Sequence, residues 1–252
     1  MFWYDGRAIE GSQLQLDINE PGLCYGATSF TTMRVYEQSL SHPLTQWQQH
    51  CDRLKKSLTV FSWQQPNWQL LELGAQTLLK YFPVLRIAVF PNGKEWITGR
   101  SLPSDLKQRQ RFGITAWLAS DSLYRRDLPY YKTGNYLSAY LARDRALKLN
   151  AKEAILIDAD GNWLETSTGN LWGWKNDCWY TPHLDSGILP GIARSRWLDL
   201  FYSQNKVVEN IWTPEFVLTI EALAYSNCVV DFVPIETVLE AERQINYPLK
   251  YP

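Results

Sequence analysis

The apolar and polar positions at the start of the chain follow first a strand period and then a helical one. Phe2-Trp3-Tyr4 is a short apolar run closed by Asp5-Gly6, a dipeptide that tolerates the positive φ angles of a type I′ turn, so a tight hairpin is predicted. Residues 30–36 (FTTMRVY) are β-branched and aromatic and predict a strand. From Leu44 the apolar residues recur at Trp47, Cys51, Leu54 and Leu58, the spacing of one helix face, entered through Pro43 or capped by Thr45. Residues 68–82 (WQLLELGAQTLLKYF) predict a second helix. Two strands, 84–90 and 95–98, are joined through Pro91-Asn92-Gly93.

The stretch 101–112 (SLPSDLKQRQRF) is polar, basic and weakly periodic, and reads as a connector. Beyond it, residues 113–119 predict a strand. Residues 134–149 predict a helix with Tyr136, Leu137, Tyr140, Leu141 and Leu147 on its apolar face. Three short strands follow at 154–157, 163–166 and 171–174, the first two joined by the turn Asp158-Ala159-Asp160-Gly161. The loop 187–191 (GILPG) opens a helix from Ile192 to about Tyr202, and 222–226 predict a further strand.

Composition narrows the class of protein. The 252 residues are 45% hydrophobic and 14% aromatic, enough to build a packed core. Lys and Arg (25) balance Asp and Glu (26), so no electrostatic footprint for nucleic acid or an anionic membrane surface is expected. No apolar run reaches the roughly 20 residues of a membrane helix, and the amino terminus lacks the layout of a signal peptide, which predicts a cytoplasmic protein. The cysteines Cys24, Cys51, Cys178 and Cys228 and the histidines His42, His50 and His183 are scattered, which predicts reduced, mostly buried thiols and no metal site. No GxSxG elbow, phosphate loop, GxGxxG or HExxH is present.

Four features could still carry chemistry. Lys132 follows the aromatic pair Tyr130-Tyr131, where partial desolvation would free its amine as a nucleophile or base. Glu165 stands inside a predicted strand, either facing water on an edge or buried against a cationic partner. The loop before Ile192 offers free N–H groups at a helix start, suited to a phosphate. Arg53 flanks the apolar stripe of the first helix, as a surface arginine or an inward phosphate clamp.

In this order these features resemble the fold-type IV pyridoxal-phosphate enzymes, the group of branched-chain aminotransferases, D-amino-acid aminotransferases and 4-amino-4-deoxychorismate lyases. The matching stretches are 25–35 (YGATSFTTMRV), 50–54 (HCDRL), 132–137 (KTGNYL), 153–158 (EAILID), 165–172 (ETSTGNLW), Thr181-Pro182 and 187–194 (GILPGIAR). The resemblance implies an α/β fold of two domains, a smaller N-terminal α/β domain (1–112) and a larger one (113–252) with a β-barrel-like core, with pyridoxal 5′-phosphate between them. It also implies a homodimer acting on a small-molecule substrate. Lys132 would carry the cofactor and later shuttle the Cα proton. Glu165 would face the protonated pyridine nitrogen. Arg53 and the N–H groups of Ile192 and Ala193 would hold the phosphate.

Within the group, the resemblance points to the lyase branch. Ala193 stands where aminotransferases usually have Thr, and Cys228 stands where they have a second Thr, preceded by Asn227 as in lyases. Asn227 and Cys228 are therefore expected at the phosphate. Thr31 replaces the glutamate of the branched-chain pattern, and its hydroxyl is a candidate to help proton transfer. The implied reaction releases pyruvate and 4-aminobenzoate for folate synthesis, with a branched-chain or D-amino-acid aminotransferase as the alternative. Arg34, Arg86 and Arg100 are candidates to bind the substrate's carboxylates.

Overall fold

The computed structural model describes residues 1–204, 206–241 and 243–252. The chain divides into two compact units: Met1–Ser104 with Tyr131–Asn135, and Asp105–Tyr130 with Tyr136–Pro252.

The first unit is built from β1 (Phe2–Tyr4), β2 (Arg7–Ile9), α1 (Pro21–Cys24), β3 (Ser29–Arg34), α2 (Trp47–Val60), α3 (Trp68–Leu78), β4 (Val84–Val89) and β5 (Glu95–Arg100). The strands form one antiparallel sheet in the order β2-β1-β5-β4-β3. Asp5 and Gly6 take φ of 48° and 76°, as the predicted turn requires. One sheet face carries Trp3, Met33, Leu85, Ile87, Val89 and Ile97, and packs on Leu54 and Leu58 of α2 and on Leu71, Ala75 and Leu78 of α3. The predicted stripe of α2 is therefore buried from Cys51 to Leu58, but Leu44 lies outside the helix and is exposed. Neither expected cap is used: Gln46 precedes α2 in a left-handed conformation, and the Thr45 hydroxyl donates to the Ser39 carbonyl instead. The α3 start is capped by Asn67, whose Oδ1 accepts from the N–H groups of Gln69 and Leu70.

The second unit holds α4 (Leu106–Phe112), β6 (Ile114–Ala119), α5 (Leu137–Lys148), β7 (Glu153–Ile157), β8 (Trp163–Thr166), β9 (Asn170–Lys175), β10 (Cys178–Pro182), α6 (Ile192–Ser203), β11 (Val207–Asn210), α7 (Pro214–Val217), β12 (Ala222–Asn227), β13 (Asp231–Glu240) and β14 (Arg243–Asn246). Strands β9, β12, β13, β6, β7 and β8 pair in that order, and β8 returns to β9 to close a six-stranded barrel. The closing pair is Glu165 with Asn170. Helix α6 covers one side of the barrel through Trp197, Leu198 and Phe201, which meet Trp172, Trp179 and Phe232. Part of the stretch read as a connector is helix α4, anchored by buried Leu106 and by Gln110 donating to the Val230 carbonyl.

Helix α5 differs from its predicted form. It starts at Leu137 rather than near Gly134, and it turns its alanines inward. Ala139, Ala142 and Ala146 pack on Ala119, Ala154 and Leu156, whereas Leu137, Tyr140 and Leu147 are 63%, 64% and 47% exposed. Small side chains let the helix backbone approach β7 closely, and that close approach decides the buried face. The thiols depart from expectation in their burial: Cys51 is buried, Cys178 and Cys228 are half-buried, Cys24 is exposed, and none of the four is disulfide-bonded. Among the described residues, no helix is long and apolar enough to cross a membrane, and no His, Cys, Asp or Glu cluster could hold a metal ion.

Candidate active site

In the first unit the segment around Lys132 runs along the outer edge of β3. The Phe30 N–H donates to the Lys132 carbonyl at 2.8 Å, and the Gly134 N–H donates to the Thr28 carbonyl at 2.7 Å. Gly134 is required at this contact, because a Cβ there would collide with the Gly26 carbonyl and the Thr28 hydroxyl. Lys132 is half-buried, with its Nζ 4.9 Å from the Phe30 ring centroid. Phe30 is thus an aromatic neighbour of Lys132, and Tyr131, next to it in the chain, packs on Phe61.

Beside this segment, α2 presents His50 and Arg53 to the buried Thr31 hydroxyl of β3. Arg53 donates to Thr31 Oγ1, which lies 2.5 Å from His50 Nδ1. Arg53 is thus an inward-directed arginine. The Thr31 hydroxyl, expected to assist proton transfer, is engaged by Arg53 and His50. Burial, followed by the nearby charges of Arg53 and Lys132, holds His50 well below the usual histidine range.

In the second unit Glu165 is 4% exposed and both of its carboxylate oxygens have partners. Oε1 forms an ion pair with Arg126, and Oε2 accepts from the Leu189 N–H at 3.1 Å and faces Asn170 Nδ2 at 3.5 Å. Of the two sequence readings of Glu165, burial against a cation is the one observed. Burial opposes the Arg126 charge, and the Glu165 carboxylate outweighs it and holds the guanidinium above the usual arginine range. A cavity of about 220 Å³ opens beside this pair, lined in part by Arg125, Leu164, Ser186 and Gly187.

Asn170 joins Glu165 to the start of α6. Its Nδ2 donates to the Leu189 carbonyl at 2.9 Å, and its Oδ1 lies where any Cβ on Gly191 would collide with it. Helix α6 begins at Ile192 and Ala193 with no side chain capping its first N–H groups, which leaves donors for an anion. Strand β12 ends at Asn227, and Cys228 opens the turn that follows. Asn227 Oδ1 accepts from the N–H groups of Val229 and Val230, and its Nδ2 donates to Thr168 Oγ1 at 3.3 Å. The second unit thus gathers Glu165, the chain entering α6 at Ile192 and Ala193, and Asn227 around the 165–170 hairpin, with Cys228 next to Asn227 in the chain. The first unit gathers Lys132, Thr31 and Arg53.

Arg126, Asn170 and His50 are the participants that sequence reasoning left without a role. His50 had one usable signal, its spacing of three residues from Arg53 on a helix. Arg126 lies in a polar connection and had none. Of the three substrate-arginine candidates, Arg86 stacks on Phe30 at 4.2 Å, and burial, then the charge of Arg100, lowers its pKa. Arg34 stacks on Tyr36 at 4.5 Å.

The closed six-stranded barrel and the sheet-and-helix first unit have the fold of the fold-type IV enzymes, as solved structures of similar fold show. A 4-amino-4-deoxychorismate lyase from Pseudomonas aeruginosa superposes with a TM-score of 0.81 at 17% identity, covering 100% of this chain and 94% of that one. A branched-chain amino acid aminotransferase from Escherichia coli gives 0.80 at 22% identity, over 94% of this chain and 86% of that one. Among sequence relatives, an aminodeoxychorismate lyase of Vibrio harveyi is 22% identical over 99% of this chain and 95% of its own length. The sequence profile Amino-transferase class IV matches residues 28–238, and the chain belongs to that enzyme family.

Proposed function

We propose that the chain is a pyridoxal-phosphate-dependent lyase that converts 4-amino-4-deoxychorismate to pyruvate and 4-aminobenzoate. The observation that carries the reading is Thr31, a fully buried neutral side chain at the position where the branched-chain pattern has glutamate. The substrate bears two carboxylates, and a third carboxylate at this position would repel it. The near full-length match to the Vibrio harveyi lyase supports the same choice.

The donor set fits the cofactor. An amine (Lys132), a guanidinium (Arg53), uncapped helix N–H groups (Ile192, Ala193) and a buried carboxylate (Glu165) complement an aldehyde, a phosphate dianion and a protonated ring nitrogen. When bound, the cofactor would supply an electrophilic carbonyl and an electron-withdrawing ring. Lys132 would attach it and then take the proton from the amine-bearing carbon of the substrate. Glu165 would keep negative charge at the ring nitrogen, with Arg126 orienting the carboxylate. Arg53, the first turn of α6 and the turn at Asn227 and Cys228 would hold the phosphate.

Cofactor-loaded protein is offered aminodeoxychorismate, and separately an amino acid with 2-oxoglutarate. Release of 4-aminobenzoate is the expected outcome. Glutamate formation without 4-aminobenzoate would replace the lyase by an aminotransferase, the reading favoured by the similarity to the Escherichia coli enzyme. Failure to take up the cofactor would remove both.

A further inference from the structure

We infer that His50 is a positioning residue that, through Thr31, sets the guanidinium of Arg53 for an incoming phosphate. The inference rests on the assignment of Arg53 to the cofactor phosphate, and it gives a role to a buried histidine that the reaction itself does not use.

His50 and Arg53 are three residues apart on α2 and share a face, with Thr31 opposite them on β3. Arg53 has only N–H donors, so toward it Thr31 Oγ1 must act as acceptor. The hydroxyl proton of Thr31 then needs an acceptor of its own, and His50 Nδ1 lies 2.5 Å away. Nδ1 also lies 3.4 Å from the same Arg53 nitrogen, where an N–H on the ring would meet an N–H of the guanidinium. The bare nitrogen is therefore Nδ1, and the proton is on Nε2, an atom buried without a hydrogen-bond partner. The result is a directed chain in which Arg53 donates to Thr31 and Thr31 donates to His50.

That chain has a function that simple packing would not need. An arginine side chain has several rotatable bonds, and binding a ligand through it normally costs the freedom of those bonds. Thr31 and His50 fix it before the ligand arrives. A neutral imidazole does this without adding a second cation or drawing on the charge of Arg53, and the burial that holds His50 uncharged keeps it in that form.

The test compares pyridoxal 5′-phosphate with pyridoxal, which lacks the phosphate, by absorbance titration of the full chain freed of cofactor. His50→Leu removes the acceptor and should weaken the phosphorylated ligand roughly tenfold or more while pyridoxal binding stays within about twofold. Thr31→Val breaks the same chain one link earlier and should show the same selective loss. The double variant should lose no more than either single one, as expected of residues in one chain. Thr31→Ser and His50→Asn keep a hydroxyl and an acceptor and should restore most of the affinity. An equal loss for both ligands, or no loss for either, would overturn the inference while leaving the cofactor assignment in place. If the unaltered chain binds neither ligand, the cofactor assignment fails and the inference with it. Thr31→Val keeps the comparison available if His50→Leu does not fold.

Discussion

Arg126 and Glu165 form an ion pair whose side chains are only 8% and 5% exposed, at the residue through which β8 closes the barrel onto β9. A buried pair of this kind is stable only when its remaining lone pairs are also satisfied, and the Leu189 N–H meets the second carboxylate oxygen. The same hydrogen bond ties the barrel seam to the loop that feeds α6. Glu165 therefore serves the fold and the candidate site together.

Replacing Glu165 by Gln keeps the side-chain shape but leaves Arg126 buried without its anion. We expect a loss of about 3–5 kcal/mol in unfolding free energy, measured by urea denaturation. Turnover to 4-aminobenzoate should fall roughly a hundredfold, the scale of one lost electrostatic contact. Borohydride should still fix the cofactor at Lys132, because Lys132 and Arg53 are untouched. Near-normal turnover would remove Glu165 from the chemistry.

Gly134→Ala tests how Lys132 is seated. The new methyl would meet the Gly26 carbonyl, a backbone group already accepting from the Thr28 N–H, and the Thr28 hydroxyl, so the backbone of one of the two segments must shift. A destabilisation of about 1–3 kcal/mol is expected, with a matching fall in the yield of cofactor fixed at Lys132 by borohydride. Full retention of both would show that the segment has room the geometry does not reveal.

Much of this arrangement was legible in the sequence, and the gaps have physical causes. The strand at 30–36, the helical stripe through Leu54 and Leu58, and the helix after Ile192 follow from local periodicity, and all three are present. That Glu165 needed a cation if buried also followed from the cost of burying a charge. Which cation it was did not follow, because Arg126 is distant in sequence and sits in a connection without periodicity. The buried face of α5 does not follow from periodicity, because Leu137, Tyr140 and Leu147 make the more hydrophobic stripe, whereas the barrel packs on the small side chains, with Tyr136 beside them. The turn at Asn227 shows the same limit, since its side chain bonds to Thr168 of a different hairpin.

The alanine face of α5 can be tested directly. Ala142 is fully buried, so Ala142→Leu must push α5 away from β7, with an expected cost of about 1–3 kcal/mol. Leu137→Ala, on the face that periodicity would have placed in the core, should change stability by no more than about 0.5 kcal/mol. Thermal or urea unfolding of the two variants ranks the faces, and the reverse order would mean that α5 packs by its leucines.

Glu153 provides the pH test. Its carboxylate is buried, with Oε2 accepting from Ser167 and Oε1 from Thr168, both at 2.6 Å. Burial raises its pKa above the ordinary value, and the two hydroxyls and the charges of Arg143 and Arg109 only partly oppose this. The folded chain thus holds a proton that the unfolded chain releases at about pH 4.3. The stability this contributes is complete below that pH and is lost as pH rises through the folded pKa. Glu153→Gln carries no such proton, and one amide oxygen and one amide N–H can still meet the two hydroxyls. Its stability relative to the unaltered chain should therefore improve as pH rises from about 4.3 through the raised folded pKa and then level off, read as the difference in urea unfolding free energy along that course. A difference that stays flat, or grows less favourable toward neutral pH, would mean that the Ser167 and Thr168 hydroxyls compensate the burial of the charge in full.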